Sequence, residues 1–162
     1  MSHRIVFAAL FLVACGPKEP VETPFEGPGF DVATGRLVAQ DAPFVVGLTE
    51  LHVKNAPGPG KRFGEHAEAV GAYVYGDEPE GFVGGSFRNV GKLEWWTMTV
   101  WTSEEAMTAF ILSDVHVDAM MSLTDVAAAA RSTHVEIEAG GSPPTWEWAL
   151  AELEGAEWLV GE

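Results

Sequence analysis

His116 is the residue of this chain best suited to proton chemistry. Its imidazole titrates near neutrality, and it stands one helical turn before Met120 at the start of a helical stretch running to about Ala130. There it could face a cavity and accept a proton or hydrogen-bond a substrate, or it could cap a helix break. Trp96 and Trp101, on one strand, offer flat faces to an aromatic substrate, although Trp101 also suits a core position linking strand to helix. Arg88 and Asn89, on a neighbouring strand, are candidates for orienting a polar or anionic ligand; Arg88 would serve equally as a surface ion-pair partner. Glu50 with His52, and His134 with Glu136, alternate along strands as residues of a solvated face do. A metal held by His52, His116 and His134 is conceivable, but no spacing such as HExxH supports one, so neither metal nor cofactor is expected. Gly58-Pro59-Gly60-Lys61-Arg62 lacks the spacing of a phosphate-binding loop and reads as a turn.

Cys15 carries a different chemistry. A basic start (Met1 to Arg4) leads into an apolar run, Ile5 to Ala14, too short to span a bilayer, which takes about 20 residues. Residues 1–14 fit a secretory signal peptide. Leu12-Val13-Ala14-Cys15 resembles the lipobox of bacterial lipoproteins, in which the cysteine becomes the lipidated first residue. The lone Cys excludes an internal disulfide, and lipidation would use it. In lipoproteins a residue other than Asp after the Cys implies the outer membrane; here it is Gly16. The expected location is the bacterial cell envelope, facing the periplasm.

Twenty-four Asp and Glu against nine Lys and Arg leave the 162-residue chain at −15, which excludes nucleic acid as a partner. A surface so acidic is also not expected to bind anionic headgroups, so attachment to the membrane rests on Cys15. A 47% hydrophobic fraction with six Trp and nine Phe demands a packed core.

The elements that must position these residues follow from periodicity. Residues 15–42, rich in Pro, Gly and Glu, read as a tether, with a short ordered piece around Phe30 to Val38 left open. Phe44 to Val53, Phe82 to Val90, Leu93 to Trp101 and Thr133 to Glu138 read as strands. Phe63, Ala67, Val70 and Val74 form a helical stripe; Ser103 caps a second helix; Pro144 opens a C-terminal one within 141–162. The order β-α-β-β-α-β over residues 43–140 is that of an α+β ferredoxin-like domain, whose helices cover one sheet face. Yet Trp96, Met98 and Val100 make the other face apolar too, and leaving a Trp bare forgoes about 4 kcal/mol. Either a second copy or the Trp-rich C-terminus must cover it. A homodimer is the expected cover.

The run Trp96-Thr97-Met98-Thr99-Val100-Trp101-Thr102-Ser103-Glu104-Glu105-Ala106-Met107, followed by Phe110, Ser113, His116, Ala119 and Met120, resembles antibiotic-biosynthesis-monooxygenase-like proteins. The resemblance implies a dimeric α/β barrel and, in some members, cofactor-independent oxidation. Haem-degrading relatives carry their ligating His where this chain has Met120, and a Trp where it has Phe110, so haem ligation of that kind is not implied. The expected protein is thus a lipid-anchored envelope protein that binds or oxidises a small apolar or aromatic molecule. The competing reading is a non-catalytic lipoprotein using the barrel for self-association or ligand sensing.

Overall fold

A computed structural model describes residues 18–161, so Cys15 and the signal-peptide stretch lie outside the described residues. Eight strands and five helices follow in chain order. They are β1 Val21–Glu22, β2 Phe30–Asp31, β3 Arg36–Leu37, β4 Phe44–Val53, α1 Pro59–Ala72, β5 Phe82–Val90, β6 Glu94–Trp101 and α2 Glu104–Ile111. Then come α3 Asp114–Met121, α4 Leu123–Val126, β7 Ala127–Ile137, α5 Trp146–Glu154 and β8 Trp158–Val160. The main sheet has the order β1-β5-β6-β4-β7-β8 with every pair antiparallel. Its four central strands carry the ferredoxin-like arrangement, and the α+β fold is as expected.

The second sheet face is covered in cis. Trp96, Met98 and Val100 of β6, with Phe44, Val46 and Leu48 of β4, pack under Trp146, Ala149 and Leu153 of α5. Thr145 caps that helix by accepting from Trp148 N–H at 3.3 Å. The Trp146 indole donates to Ser86 Oγ at 3.0 Å, and Ser86 donates to the Thr23 carbonyl at 2.7 Å, tying α5, β5 and the N-terminal segment together. A second copy is therefore not needed to bury this face. Any homodimer must use a different surface.

The expected tether is also corrected from Lys18 onward. Val21 and Glu22 pair with Asn89 and Arg88, β2 and β3 form a hairpin, and Leu37 is buried in the core beside Phe25 and Phe30. The ordered piece left open around Phe30 to Val38 is thus present as β2 and β3, while Val21 to Phe25 are what the compositional reading overlooked. Gly84 and Gly85, which weaken β5 as a strand, make room on opposite faces. A methyl group on Gly84 would stand 2.6 Å from the Phe25 ring, and one on Gly85 would stand 2.9 Å from the Tyr75 oxygen.

A third difference lies at Ala127–Ala130. Four alanines favour helix, yet they begin β7, pairing with the end of β4 and with Val160. Ala127, Ala129 and Ala130 are buried there, so packing overrides a small intrinsic preference. Replacing Trp146 with Ala should cost about 3–5 kcal/mol by leaving a void in the core cluster it shares with Trp96 and removing the hydrogen bond that Ser86 Oγ accepts. Chemical denaturation of the variant would measure it.

Candidate functional site

The other sheet face is covered without being filled. The apolar stripe of α1 (Phe63, Ala67, Val70) contains no buried residue, and neither does α3. Between these helices and the sheet lies a cavity of about 350 Å³. The helices stand away from the middle of the sheet because they pack on it at its two ends, through Val74, Phe82, Trp101, Met107 and Phe110 at one and through Phe63 on Trp95, with ring centroids 5.2 Å apart, at the other.

The floor of the cavity comes from register. Residues directly opposite on adjacent antiparallel strands share a face, so Ser132, Thr49, Thr97 and Phe87 form one row. His134, Gly47, Thr99 and Gly85 form the next. The floor is thus a band of hydroxyls. Ser132 Oγ donates to the Leu48 carbonyl at 3.0 Å, and Thr99 Oγ1 accepts from the Trp101 indole at 3.0 Å. One wall is aromatic: Tyr75, Trp101, Phe110 and His116 line it, and with Phe82 buried behind them they form a chain, Tyr75–Phe82–Trp101–Phe110–His116, with ring centroids 5.4, 5.2, 4.9 and 4.7 Å apart.

Two groups on this wall carry chemistry. His116 follows the Ser113 N-terminus of α3, and its Nδ1 lies 3.2 Å from the Ile111 carbonyl. A carbonyl can only accept, so Nδ1 bears the hydrogen and Nε2 keeps its lone pair. Burial against Phe110 lowers the imidazole pKa, and the Ile111 bond opposes this less strongly. His116 is therefore a neutral proton acceptor at physiological pH. Tyr75 sits on a π-helical turn, Tyr73–Asp77, that continues α1 and ends at Glu78 with a left-handed backbone (φ 47°). Such turns are rare and often re-aim a side chain at a site. Burial, helped by the charge of Glu26, pushes the phenol pKa up to about 12, so Tyr75 remains a hydrogen-bond donor.

Of the residues singled out from sequence, His116 and Trp101 line the cavity. Trp101 does so as a fully buried wall, its indole already bonded to Thr99. His134 also borders it, from the floor, whereas Trp96, Arg88 and Asn89 do not reach it. Trp96 lies on the α5 face, 7% exposed. Arg88 is on that face too, paired with Glu22 and standing 5.7 Å over the Trp96 ring. The strand's two-residue period places both on the side opposite the cavity. Asn89 donates to the Gly91 carbonyl at 2.8 Å and so closes the β5–β6 turn.

Glu50 and His52 differ from the solvated face expected of them. Glu50 is 6% exposed and accepts from Arg131 Nε at 2.6 Å and from His52 Nε2 at 2.8 Å. Arg131 in turn stacks over Trp158 at 4.6 Å. The pairing makes the burial of a carboxylate tolerable. It depended on Arg131, 81 residues away, and on a β8 strand that the sequence pattern did not reveal. His52 is thus separated by the sheet from His116 and His134, and among the described residues no cluster of His, Cys, Asp or Glu is placed to hold a metal ion. Tyr75 is the functional candidate sequence reading missed. Its signal was the glycine pair in β5, which clears space for the phenol.

No family model and no curated sequence matches this chain. Solved structures do match its fold. A candidate monooxygenase from Lactobacillus acidophilus aligns over 75% of this chain with a TM-score of 0.52 and 16% identity. This chain spans about half of that protein, 51% of its length. A candidate monooxygenase from Fusobacterium nucleatum aligns over 64% of this chain and 49% of its own, at TM-score 0.50 and 16% identity. A Pseudomonas aeruginosa protein aligns over 62% of this chain and 99% of its own, at TM-score 0.51 and 9% identity. The shared architecture is the ferredoxin-like α+β domain. At such identities the likeness is one of fold.

The neutral state of His116 is directly measurable. Its ring resonances should titrate with a midpoint below the ordinary 6.5, since burial disfavours the imidazolium. The unfolded chain takes up that proton first, so this group withdraws stability as pH falls below 6.5. A midpoint at or above 6.5 would contradict the buried, neutral assignment.

Proposed function

We propose that this protein binds a small, uncharged, largely apolar or aromatic molecule in the cavity between α1, α3 and the sheet, as a lipid-anchored protein of the bacterial cell envelope. The observation that carries the reading is the cavity itself: about 350 Å³ beneath an apolar helix stripe none of whose residues is fully buried, with a neutral acceptor and a neutral donor in its aromatic wall. Absence of a charged group on that wall favours a neutral ligand, because an ion would lose hydration without a partner. His116 Nε2 accepts from a hydroxyl or acidic C–H of the ligand, and Tyr75 donates to a carbonyl.

The same pair of groups supports cofactor-independent oxidation. His116 would take a proton from an activated CH2 group, and Tyr75 would stabilise the enolate oxygen. The carbanion would reduce dioxygen and combine with it to a hydroperoxide. Loss of water would then leave a carbonyl, so that one CH2 and one O2 become one C=O and one H2O. The fold likeness to candidate monooxygenases supports this step. The second reading, ligand binding without turnover, is favoured by Arg88 and Trp96, which are committed to packing on the far face.

Oxygen uptake and product analysis with hydroquinone- and anthrone-like compounds would separate the two. Turnover that falls about 100-fold in His116→Ala and about 10-fold in Tyr75→Phe would support oxidation. Binding of the same compounds without oxygen consumption would leave the sensing or carrier role. Saturable binding of none of them, nor of an apolar fluorophore, would defeat the cavity assignment.

Cys15 supplies the anchor in this reading, and Gly16 after it directs the protein to the outer membrane. Changing Cys15 to Ala should move the protein from the membrane to the soluble fraction. Unchanged fractionation would show that Cys15 is not the attachment point.

A further inference from the structure

All four lysines of the chain stand at one end of the domain, together with Arg62. Lys92 lies in the β5–β6 turn, and the Lys18 side chain rests against Gly91 of the same turn. The end of β4 adjoins it, since Val53 N–H donates to the Leu93 carbonyl at 2.7 Å. Lys54 comes next and donates to the Thr124 carbonyl of α4 at 2.6 Å. Arg62, in the first turn of α1, reaches Asp125 of α4 at 2.9 Å, and exposed Lys61 precedes it. The other described arginines are elsewhere: Arg36 donates to the Gly140 carbonyl, Arg88 pairs with Glu22 and Arg131 with Glu50.

Carboxylates share this end, among them Asp118, one turn before Met121 on α3. Glu65 is paired with Lys61 and Asp125 with Arg62, while Glu19 and Glu94 adjoin Lys18 and the turn in sequence. The remaining acidic residues are distributed over the rest of the domain, as in Asp77, Glu78 and Glu80 beyond the far end of α1 and Glu147, Glu152 and Glu154 on α5. In a chain of net charge −15, this is a marked separation of charge. Beside the cations, Met121 closes α3 with 80% of its surface exposed, and Met120, 45% exposed, also lines the cavity.

We propose that this end is a lipid-contacting surface, with Lys18, Lys54, Lys61, Lys92 and Arg62 on anionic headgroups and the Met120–Met121 step against the apolar boundary. Its setting rests on the Cys15 anchor. Cys15 is three residues before Lys18, a stretch that cannot span more than about 11 Å. The anchor would therefore hold the β5–β6 turn about one Debye length, roughly 10 Å at 0.1 M salt, from the bilayer. Carboxylates at the far end are screened, whereas each cation near the surface contributes about fivefold to association. A membrane-bound apolar ligand could then pass along Met120 into the cavity without crossing bulk water.

Lysine labelling tests the surface directly, because every lysine belongs to it. The chain from residue 15 onward, which keeps every described residue, is coupled through its lone thiol to a maleimide lipid in vesicles. Lipidation in the cell is thus irrelevant to the outcome. On vesicles of phosphatidylglycerol and phosphatidylcholine at roughly 3:7, acetylation of Lys61 and Lys92 should fall about fivefold relative to pure phosphatidylcholine vesicles. Protection should disappear near about 0.5 M salt, where the Debye length is about 4 Å. In a chain carrying Lys61→Glu and Lys92→Glu, both exposed and so compatible with folding, Lys54 should become as reactive on anionic vesicles as on neutral ones. Equal labelling of the unaltered chain on the two kinds of vesicle would overturn the proposal, while the Cys15→Ala fractionation separately decides the anchor.

Discussion

Strand β6 is apolar on both faces, and the protein has to exclude water from each of them. Trp96, Met98 and Val100 look one way, and Trp101 with the methyl groups of Thr97 and Thr99 looks the other. The two faces are treated differently. On one, α5 and the N-terminal segment fill the space with Trp146, Leu153, Leu37 and Phe25. On the other, α1 and α3 roof the sheet without filling it. One face accounts for stability and the other leaves room for a ligand. This division also explains why the domain does not need a second copy against its Trp96 face. Barrel formation between two sheets and a cis helix are alternative solutions to the same burial problem, and a tail carrying Trp146, Ala149 and Leu153 supplies the second.

The glycines of β5 couple the two halves. Gly84 admits Phe25 on the filled face, and Gly85 admits the Tyr75 phenol on the open one. A strand that looks weak by propensity is thus held by its neighbours: β1 on one edge, β6 on the other, and the Trp146–Ser86–Thr23 hydrogen bonds across it. The cavity wall inherits that rigidity, because Tyr75 and Phe82 rest on the same strand. A net charge quoted for the whole chain conceals another division. The lysines gather where β4, β5, α1 and α4 meet, so a strongly acidic protein has one end with quite different electrostatics. The expectation that so negative a chain would avoid anionic headgroups treated the charge as uniform. Screening over about 10 Å makes the local balance the relevant one.

Much of the scaffold was legible in the sequence because it depends on local pattern. The β-branched run of β4, the two-faced β6, the Ser103 cap of α2 and the stripe of α1 all follow from periodicity or capping chemistry. The cavity-facing positions of His116 and Trp101 were legible for the same reason, each placed by its phase within a recognisable element. What periodicity could not supply was which face of the sheet would stay open. That depends on α5 docking some 50 residues after Trp96 in the chain, and it moves Trp96 and Arg88 from a ligand's side to the packed side. Tyr75, the Glu50–His52–Arg131 cluster and the burial of Ala127–Ala130 were likewise hidden, because each is created by contacts between distant segments. The sequence by itself determined the elements, their order, and that both faces of the sheet must be covered, since these follow from side-chain polarity at fixed spacing. Only the tertiary structure decided which cover packs tightly and which stands off, because that depends on how the volumes of remote side chains fit together in space.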